Sequence, residues 1–267
     1  SILGANGVGK STLLRCLIGF LPPRSGRVWI EDDDGTVYDA QDDARAFAKR
    51  IGYVPQMQNT SYSFTVRDYV VMGRAPYLRT FQKPGAKDYA LTDEVLHEMN
   101  IYDIRERAIN TLSGGQQRQA AIARAIVQQP QIILMDEPTN GLDIPSKSEF
   151  RRVLAQYTSE EQTIIISTHQ VRDLEQIIDS VLVLEQGAII CQATVSEIAS
   201  RLRFAPVQPG EASQPLYTEQ SPLGLLGVFA RGADEEAEDF SMELFFNALL
   251  AARPAVLSAL QSQDLTK

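Results

Sequence analysis

The sequence predicts an α/β fold with a mostly parallel sheet, and three observations support this prediction. Apolar residues end at Leu3, and a glycine-rich stretch then leads into a helical pattern over residues 11–20, giving strand, loop and helix. Residues 132–135 and 163–167 are short apolar or β-branched runs, of the kind that a parallel sheet buries on both faces. A helical pattern over residues 147–157 lies between them, as in a βαβ unit.

Two short strands and a helix follow the first helical pattern. Residues 27–30 and 36–38 flank an acidic turn at 32–35, and this spacing predicts a small antiparallel β layer. Residues 40–49 have the pattern of a short helix, and the apolar residues 51–54 predict a short strand. The core therefore carries a smaller β layer beside its main sheet.

Residues 65–129 form a mostly helical pattern within the strand-bearing region. The pattern is interrupted at Pro76 and around Pro84 and Gly85, which are residues that end or bend helices. Because strand patterns return at residue 132, this stretch predicts a helical subdomain inserted into the core.

The main domain ends with a hairpin and a helix. Residues 181–184 and 188–191 are predicted strands around the turn at Gln186 and Gly187. A helical pattern over residues 195–202 closes this region.

The composition changes after residue 202. Residues 203–267 are rich in proline and contain an acidic run at 234–239, which we interpret as a solvated loop, and an amphipathic helix over 242–250. We predict a main domain over residues 1–202 and a small C-terminal appendage over 203–267.

The composition is that of a soluble globular protein. Of the 267 residues, 44% are hydrophobic and 22% are charged, which disfavours a collagen-like, disordered or membrane-spanning chain. No apolar run approaches the roughly 20 residues that a membrane-spanning helix needs. A role at a membrane would therefore require docking onto another subunit.

The net charge is negative, and the cysteines show no metal-binding pattern. A formal charge of -9 would repel a polyanion, so we expect no nucleic-acid partner. Cys16 and Cys191 lack CxxC spacing and lie in apolar contexts, so we predict two buried, reduced thiols.

The glycine-rich stretch after Leu3 fits the pattern GxxxxGK[ST] of a phosphate-binding loop. Glycines let backbone N–H groups turn inward around phosphates, and the dipole of the following helix adds to anion binding. Lys10 would contact the terminal phosphates, and the Ser11 hydroxyl would bind Mg²⁺. The predicted nucleotide-binding residues of this loop are Gly4, Asn6, Gly7, Gly9, Lys10, Ser11 and Thr12.

Two adjacent acidic residues follow the buried run at 132–135. Asp136 is predicted to bind Mg²⁺, directly or through water. Glu137 is the better candidate for the general base that polarises the attacking water. The phosphate-binding loop alone is compatible with kinases, GTPases and motors alike, and the acidic pair adds the metal ligand and the base that nucleotide hydrolysis needs.

A third motif makes the prediction specific. Residues 112–116 read Leu-Ser-Gly-Gly-Gln before a predicted helix, and this sequence, the signature motif, resembles that of the ABC ATPase family. Two glycines and a serine at a helix N-terminus form an anion site. The resemblance covers residues 1–200 and implies nucleotide contacts from Ser113, Gly114, Gly115 and Gln116.

Three further residues occur in the order that the family shows. The resemblance implies that Gln56 contacts Mg²⁺ or water at the nucleotide and reports to the membrane subunit. It implies that Asp143 contacts a partner subunit. It also implies that His169 bonds the γ-phosphate, which with Gln56 and Glu137 completes the predicted catalytic set. The family's adenine-stacking residue precedes the phosphate-binding loop, and we expect it, with the start of the first strand, to lie upstream of Ser1.

The resemblance also implies partners and a location. In this family the signature motif of one subunit completes the phosphate site of another, so we expect a head-to-tail homodimer that binds two ATP molecules. The dimer would dock onto transmembrane permease subunits at the cytoplasmic face of a bacterial membrane, and an importer would also work with a substrate-binding protein.

Two segments suggest different cargo directions. Residues 69–76 resemble subunits that import metal chelates such as iron-siderophores, whereas 139–146 and 167–173 resemble export subunits. We weigh the first segment more heavily because it lies in the subdomain that contacts membrane partners. An export subunit and a soluble ABC ATPase without a transporter remain alternatives. A P-loop kinase would lack the signature motif.

Overall fold

The computed structural model describes residues 1–56, 63–157, 162–208, 214–222, 224–232 and 240–261. The chain divides into two compact units: one is Gly9–Thr168, and the other combines Ser1–Val8 with His169–Lys267. In chain order the strands are β1 (Ile2–Leu3), β2 (Trp29–Glu31), β3 (Val37–Asp39), β4 (Ile51–Val54), β5 (Ile132–Asp136), β6 (Thr163–Thr168), β7 (Ser180–Glu185), β8 (Ala188–Thr194), β9 (Leu202–Pro206), β10 (Tyr217–Ser221) and β11 (Gly224–Ala230).

All helices but the last occur where the sequence pattern predicts them, with small shifts at their ends, and the pattern predicts no helix at the last one. In chain order they are α1 (Lys10–Leu17), α2 (Ala44–Arg50), α3 (Val66–Val71), α4 (Ala86–Glu98), α5 (Gly114–Ile126), α6 (Ile144–Tyr157), α7 (Val195–Arg201), α8 (Met242–Ala251) and α9 (Arg253–Gln261).

The unit Gly9–Thr168 contains a parallel sheet in which β4 pairs with β5 and β5 pairs with β6. Most residues of β4 and β5 are buried, as expected for strands covered on both faces. A separate antiparallel pair joins β2 and β3. The predicted α/β class, with a mostly parallel sheet and a small antiparallel layer, is confirmed.

The stretch over 65–129 is helical, as the sequence predicts. Thr65 caps α3 by accepting a hydrogen bond from the backbone N–H of Asp68. The predicted interruption at Pro76 falls in a 3₁₀ segment, Met72–Tyr77. Arg67 bonds Asp93 at 2.6 Å, which ties α3 to α4.

The second unit contains further paired strands and the C-terminal elements. Strand β1 pairs in parallel with β7, and β7 pairs antiparallel with β8 through the predicted hairpin. Thr194 and Glu197 form a capping box that begins α7 at the strand end.

Beyond residue 201 the structure has more order than the sequence predicts. Strand β11 lies between β9 and β10 in an antiparallel sheet that the composition did not indicate. Helix α8 confirms the amphipathic helix predicted at 242–250, and α9 follows it. The acidic run at 234–239 lies outside the described residues, and the domain boundary at residue 202 stays a prediction.

One prediction about the thiols is wrong. Cys191 is buried, but Cys16 is half-buried because only Lys10 and Leu14 of α1 turn fully toward the interior. Neither cysteine forms a disulfide. Among the described residues no single helix is long and apolar enough to cross a membrane, although α8 and α9, bent by 116°, pass the length and composition test as a pair.

Candidate functional site

The phosphate-binding loop has the backbone that its glycines allow. Gly7 and Gly9 have φ values of 80° and 108°, in a region that side chains disfavour. Gly9 caps α1, so Lys10 and Ser11 are the first residues of that helix. The loop therefore presents helix N-terminal N–H groups of the kind that bind phosphates.

The other loop residues lie on either side of these glycines. Gly4 directly follows β1 and is buried, and a Cβ there would meet the carbonyl oxygen of Leu184 at 2.6 Å. Asn6 and Thr12 are exposed. Their predicted nucleotide contacts stay predictions.

Lys10 and Glu137 form a buried ion pair. The Lys10 Nζ atom lies 3.1 Å from Glu137 Oε1, and the two side chains are only 5% and 7% exposed. Phosphate oxygens would compete with this carboxylate for the ammonium group. The pair thus brings together two residues predicted from separate motifs.

Ser167 holds both acidic residues. Its hydroxyl donates to Asp136 Oδ1 at 2.6 Å and accepts a hydrogen bond from the backbone N–H of Glu137 at 3.3 Å. Glu137 adopts a left-handed φ of 46°, which is uncommon for a residue with a side chain. The sequence motifs assign Ser167 no site role, but the β5–β6 register, which pairs it with Asp136, reveals one.

Tyr53 is a second residue that the sequence analysis missed. Its hydroxyl lies 3.5 Å from Asp136 Oδ2. Burial, with the negative charge of Asp136, raises the pKa of Tyr53, so the phenol keeps its proton and can donate. The signal that could have identified Tyr53 as a site residue is its position at the end of β4, the strand beside β5.

The three residues predicted to bind Mg²⁺ line one cavity. Ser11, Gln56 and Asp136 all border a space of about 730 Å³. A hydroxyl, an amide and a carboxylate are oxygen donors that suit Mg²⁺, which usually binds one or two carboxylates together with substrate phosphates and water. The residues present therefore fit the ion, although no cluster of three or more His, Cys, Asp or Glu side chains occurs in the described parts of the chain.

The signature motif caps α5. Ser113 Oγ accepts from the backbone N–H of Gln116, and Gln116 Oε1 accepts from the backbone N–H of Ser113, each at 3.3 Å. Ser113 and Gly114 are exposed, and a Cβ on Gly114 would meet nothing within 4 Å. The motif is thus open to a second molecule.

The Asp143 loop lies beside the signature motif in the same unit. Asp143 Oδ1 caps α6 by accepting from the backbone N–H of Ser146, and hydrogen bonds from Ser146 hold the Asp143 pKa below its ordinary value. Ser146 also approaches Gly115 so closely that a Cβ there would lie 2.5 Å from its hydroxyl oxygen. Gly141 has a φ of 75°, so glycine suits this position.

His169 follows the end of β6 and begins the second part of the other unit. Its side chain is half-buried. Its predicted contact with the γ-phosphate stays a prediction.

Comparisons with known proteins agree with this arrangement. The family model described as "ABC transporter" matches residues 1–140. An uncharacterised ABC transporter ATP-binding protein of Methanocaldococcus jannaschii is 37% identical over 193 residues, which cover 72% of this chain and 73% of that protein. The manganese transport system ATP-binding protein MntA of Synechocystis is 36% identical over 199 residues, 74% of each chain.

A solved structure is similar over more of the chain. It is a metal-chelate type ABC transporter in an inward-facing conformation, with 26% identity and a TM-score of 0.62. The match covers 87% of this chain and 85% of that one. The chain thus belongs to the ABC transporter family, as an ATP-binding subunit that hydrolyses ATP.

Proposed function

We propose that this subunit powers the import of a metal ion or metal chelate by Mg²⁺-dependent ATP hydrolysis in a head-to-tail homodimer. One observation carries the proposal: a single cavity is lined both by the predicted Mg²⁺ ligands and by exposed apolar side chains suited to a membrane partner. The nucleotide site and the docking site for a membrane subunit would therefore share this cavity.

The catalytic part rests on the buried cluster. Lys10 moves its ammonium from Glu137 to the phosphates, which leaves the Glu137 carboxylate available to take a proton from water. Ser167 fixes the orientation of Asp136 and the backbone of Glu137. Mg²⁺, held by Ser11, Gln56 and Asp136, would neutralise charge on the phosphate oxygens.

The homodimer is supported by the exposed face of the signature motif. Ser113 and Gly114 face open space, and nearby Ile144 is 82% exposed. A single exposed apolar side chain is compatible with a protein interface, and the open signature residues carry this step. A second copy would bring its phosphate-binding loop to Ser113 and Gly114 and would contact Asp143, while His169 would bond the γ-phosphate.

A permease would dock at the apolar lining of the cavity. Phe20 and Leu21 are 71% and 40% exposed, and Phe64 and Met72 are 41% and 39% exposed. All four line the cavity that contains Gln56, so a docked segment would contact the residue predicted to sense the nucleotide. The subunit would thus act at the cytoplasmic face of a bacterial membrane.

The cargo is inferred from the relatives. One similar protein serves manganese transport, and the similar solved structure is a metal-chelate type transporter. These agree with residues 69–76, which resemble metal-chelate importers. An importer of this kind would also use a substrate-binding protein outside the membrane.

The docking surface can be tested by recovery of permease subunits from the native host. Tagged wild-type chain should co-purify with transmembrane proteins, and Phe20→Ser with Met72→Ser should lose them while keeping the wild-type melting temperature. Trp29→Ser is the matched control because Trp29 is 56% exposed but does not line the cavity. Recovery of ribosomes without any membrane protein would overturn the proposal.

The cargo and direction need a transport measurement. Cells lacking this chain should lose uptake of manganese or of an iron-siderophore complex, and wild-type chain, but not Glu137→Gln, should restore it. Normal uptake together with lost efflux would contradict import.

A further inference from the structure

Arg118 is a buried arginine directly after the signature motif. Its side chain is only 2% exposed, and it is among the largest fully buried side chains of the described chain. Burial lowers the pKa of Arg118 to about 10, because the interior disfavours its charge. Such burial is unusual, since arginine normally keeps its guanidinium in water.

The charge of Arg118 is poorly compensated. Nη1 donates to the carbonyl oxygen of Pro55 at 2.9 Å, whereas Nε has no hydrogen-bond partner. Within the described residues no carboxylate forms a salt bridge with this guanidinium, and Tyr69 and Asp136 only partly offset the effect of burial on its pKa. A buried cation without a carboxylate is expected to lower stability, so stability does not account for its presence.

The contact of Arg118 joins two predicted site segments. The Pro55 carbonyl belongs to the planar peptide unit that also contains the Gln56 nitrogen. Arg118 lies in the first turns of α5, whose N-terminus carries Ser113 and Gly114. The hydrogen bond therefore links the backbone at Gln56 to the helix that presents the signature motif.

The other end of α5 offers a comparison. Gln128, just beyond α5, is buried and donates to the carbonyl oxygens of Ala48 and Ile51, each at 2.7 Å. These bonds attach that end of the helix to α2 and to the start of β4 with neutral partners. Gln128 is thus a neutral, hydrogen-bonded side chain, as expected for a stabilising contact. Arg118 instead buries a charge and leaves its Nε without a hydrogen bond.

We propose that Arg118 is a positioning residue that holds Gln56 and the signature motif in a fixed relation, so that a shift at Gln56 reorients Ser113 toward the second nucleotide. The proposal rests on the proposed function, in which Gln56 senses the nucleotide and Ser113 completes the site of a partner subunit. Arg118 does not line the cavity that the predicted Mg²⁺ ligands border, so its role is positioning.

Arg118→Met tests this role because methionine fills similar volume without charge or donor. We expect a melting temperature equal to or above wild type and unchanged binding of a fluorescent ATP analogue. The turnover number should fall by about tenfold or more, because small misplacements of reacting groups have effects of this size. In the Glu137→Gln background, ATP-dependent dimerisation should weaken. Arg118→Lys keeps a cationic donor, so it should retain part of the wild-type turnover number and part of the ATP-dependent dimerisation.

Gln128→Leu is the matched control, just beyond the C-terminal end of α5. It should lower the melting temperature while the turnover number of the folded protein stays unchanged. An Arg118→Met protein with wild-type turnover, or with lower stability in the manner of Gln128→Leu, would overturn the positioning role. If Glu137→Gln itself forms no dimer with ATP, the proposed function fails and this inference fails with it.

Discussion

The Lys10 ammonium and the Glu137 carboxylate lie 3.1 Å apart in a nearly solvent-free environment. One residue is predicted to bind the terminal phosphates and the other to activate water. Because one ammonium cannot fully satisfy both the carboxylate and the phosphates, phosphate binding would release Glu137 at the place where it is needed.

Lys10→Ala should abolish steady-state ATP turnover. It should also lower the free energy of unfolding by about 3 kcal/mol, because Glu137 then loses its buried counter-charge. Phosphate release and thermal unfolding measure the two effects. The double variant Lys10→Ala with Glu137→Gln should regain stability but not turnover, and turnover retained in Lys10→Ala would contradict the phosphate-binding role.

Glu137→Gln should separate nucleotide binding from hydrolysis. The amide keeps the shape of the side chain but cannot accept the proton, so the turnover number should fall by about 100-fold or more. Size-exclusion chromatography should then show an ATP-dependent dimer. A monomer with ATP, alongside normal wild-type turnover, would disprove the head-to-tail mechanism.

Gly115→Ala should disturb the signature motif from within its own chain. The added Cβ would lie 2.5 Å from Ser146 Oγ, so α5 and the start of α6 would shift apart. We expect lower thermal stability and turnover, with partial recovery in the double variant with Ser146→Ala. Gly114→Ala meets no atom of this chain, so it should keep wild-type stability and affect only dimerisation. Equal destabilisation by the two glycine variants would contradict this contact.

Ser167→Ala should raise the Mg²⁺ concentration needed for half-maximal turnover. Asp136 would lose the hydroxyl that donates to Oδ1, and the loss of such supporting hydrogen bonds typically weakens metal binding by about tenfold or more. ATPase titrations with Mg²⁺ after EDTA treatment provide the measurement. An unchanged titration curve would show that Ser167 does not orient this ligand.

Asp32→Asn should remove a pH-dependent part of the stability. The Arg50 guanidinium donates three hydrogen bonds to the Asp32 carboxylate and holds the pKa of that carboxyl below its ordinary value. A depressed pKa stabilises the fold above the unfolded pKa of about 3.9, and this contribution is lost as the pH falls further.

Melting temperatures measured from neutral to acidic pH test the ion pair between Arg50 and Asp32. Wild type should melt above Asp32→Asn at pH 7, and the two curves should converge below about pH 4. Asp33→Asn is the control, because the exposed Asp33 forms no salt bridge within the described chain. A constant gap between wild type and Asp32→Asn at all pH values would contradict the assignment.

Much of the fold could be predicted because the core strands are short apolar runs with only one reasonable interpretation. The C-terminal sheet could not, because Arg203, Pro206, Gly224 and Gly227 break the alternation that marks strands in a sequence. Pairing with a neighbouring strand compensates for such residues, and a single segment does not reveal its neighbour.

The sequence by itself determined the chemistry of this protein: the phosphate-binding loop, the acidic pair and the signature motif each lie in a few consecutive residues. Only the tertiary structure decided that Lys10 meets Glu137, that Ser167 holds Asp136 and that Arg118 is buried against Pro55. Side-chain chemistry is encoded locally, whereas distances between remote residues are set by strand register and helix packing. Those distances turn separate motifs into one site.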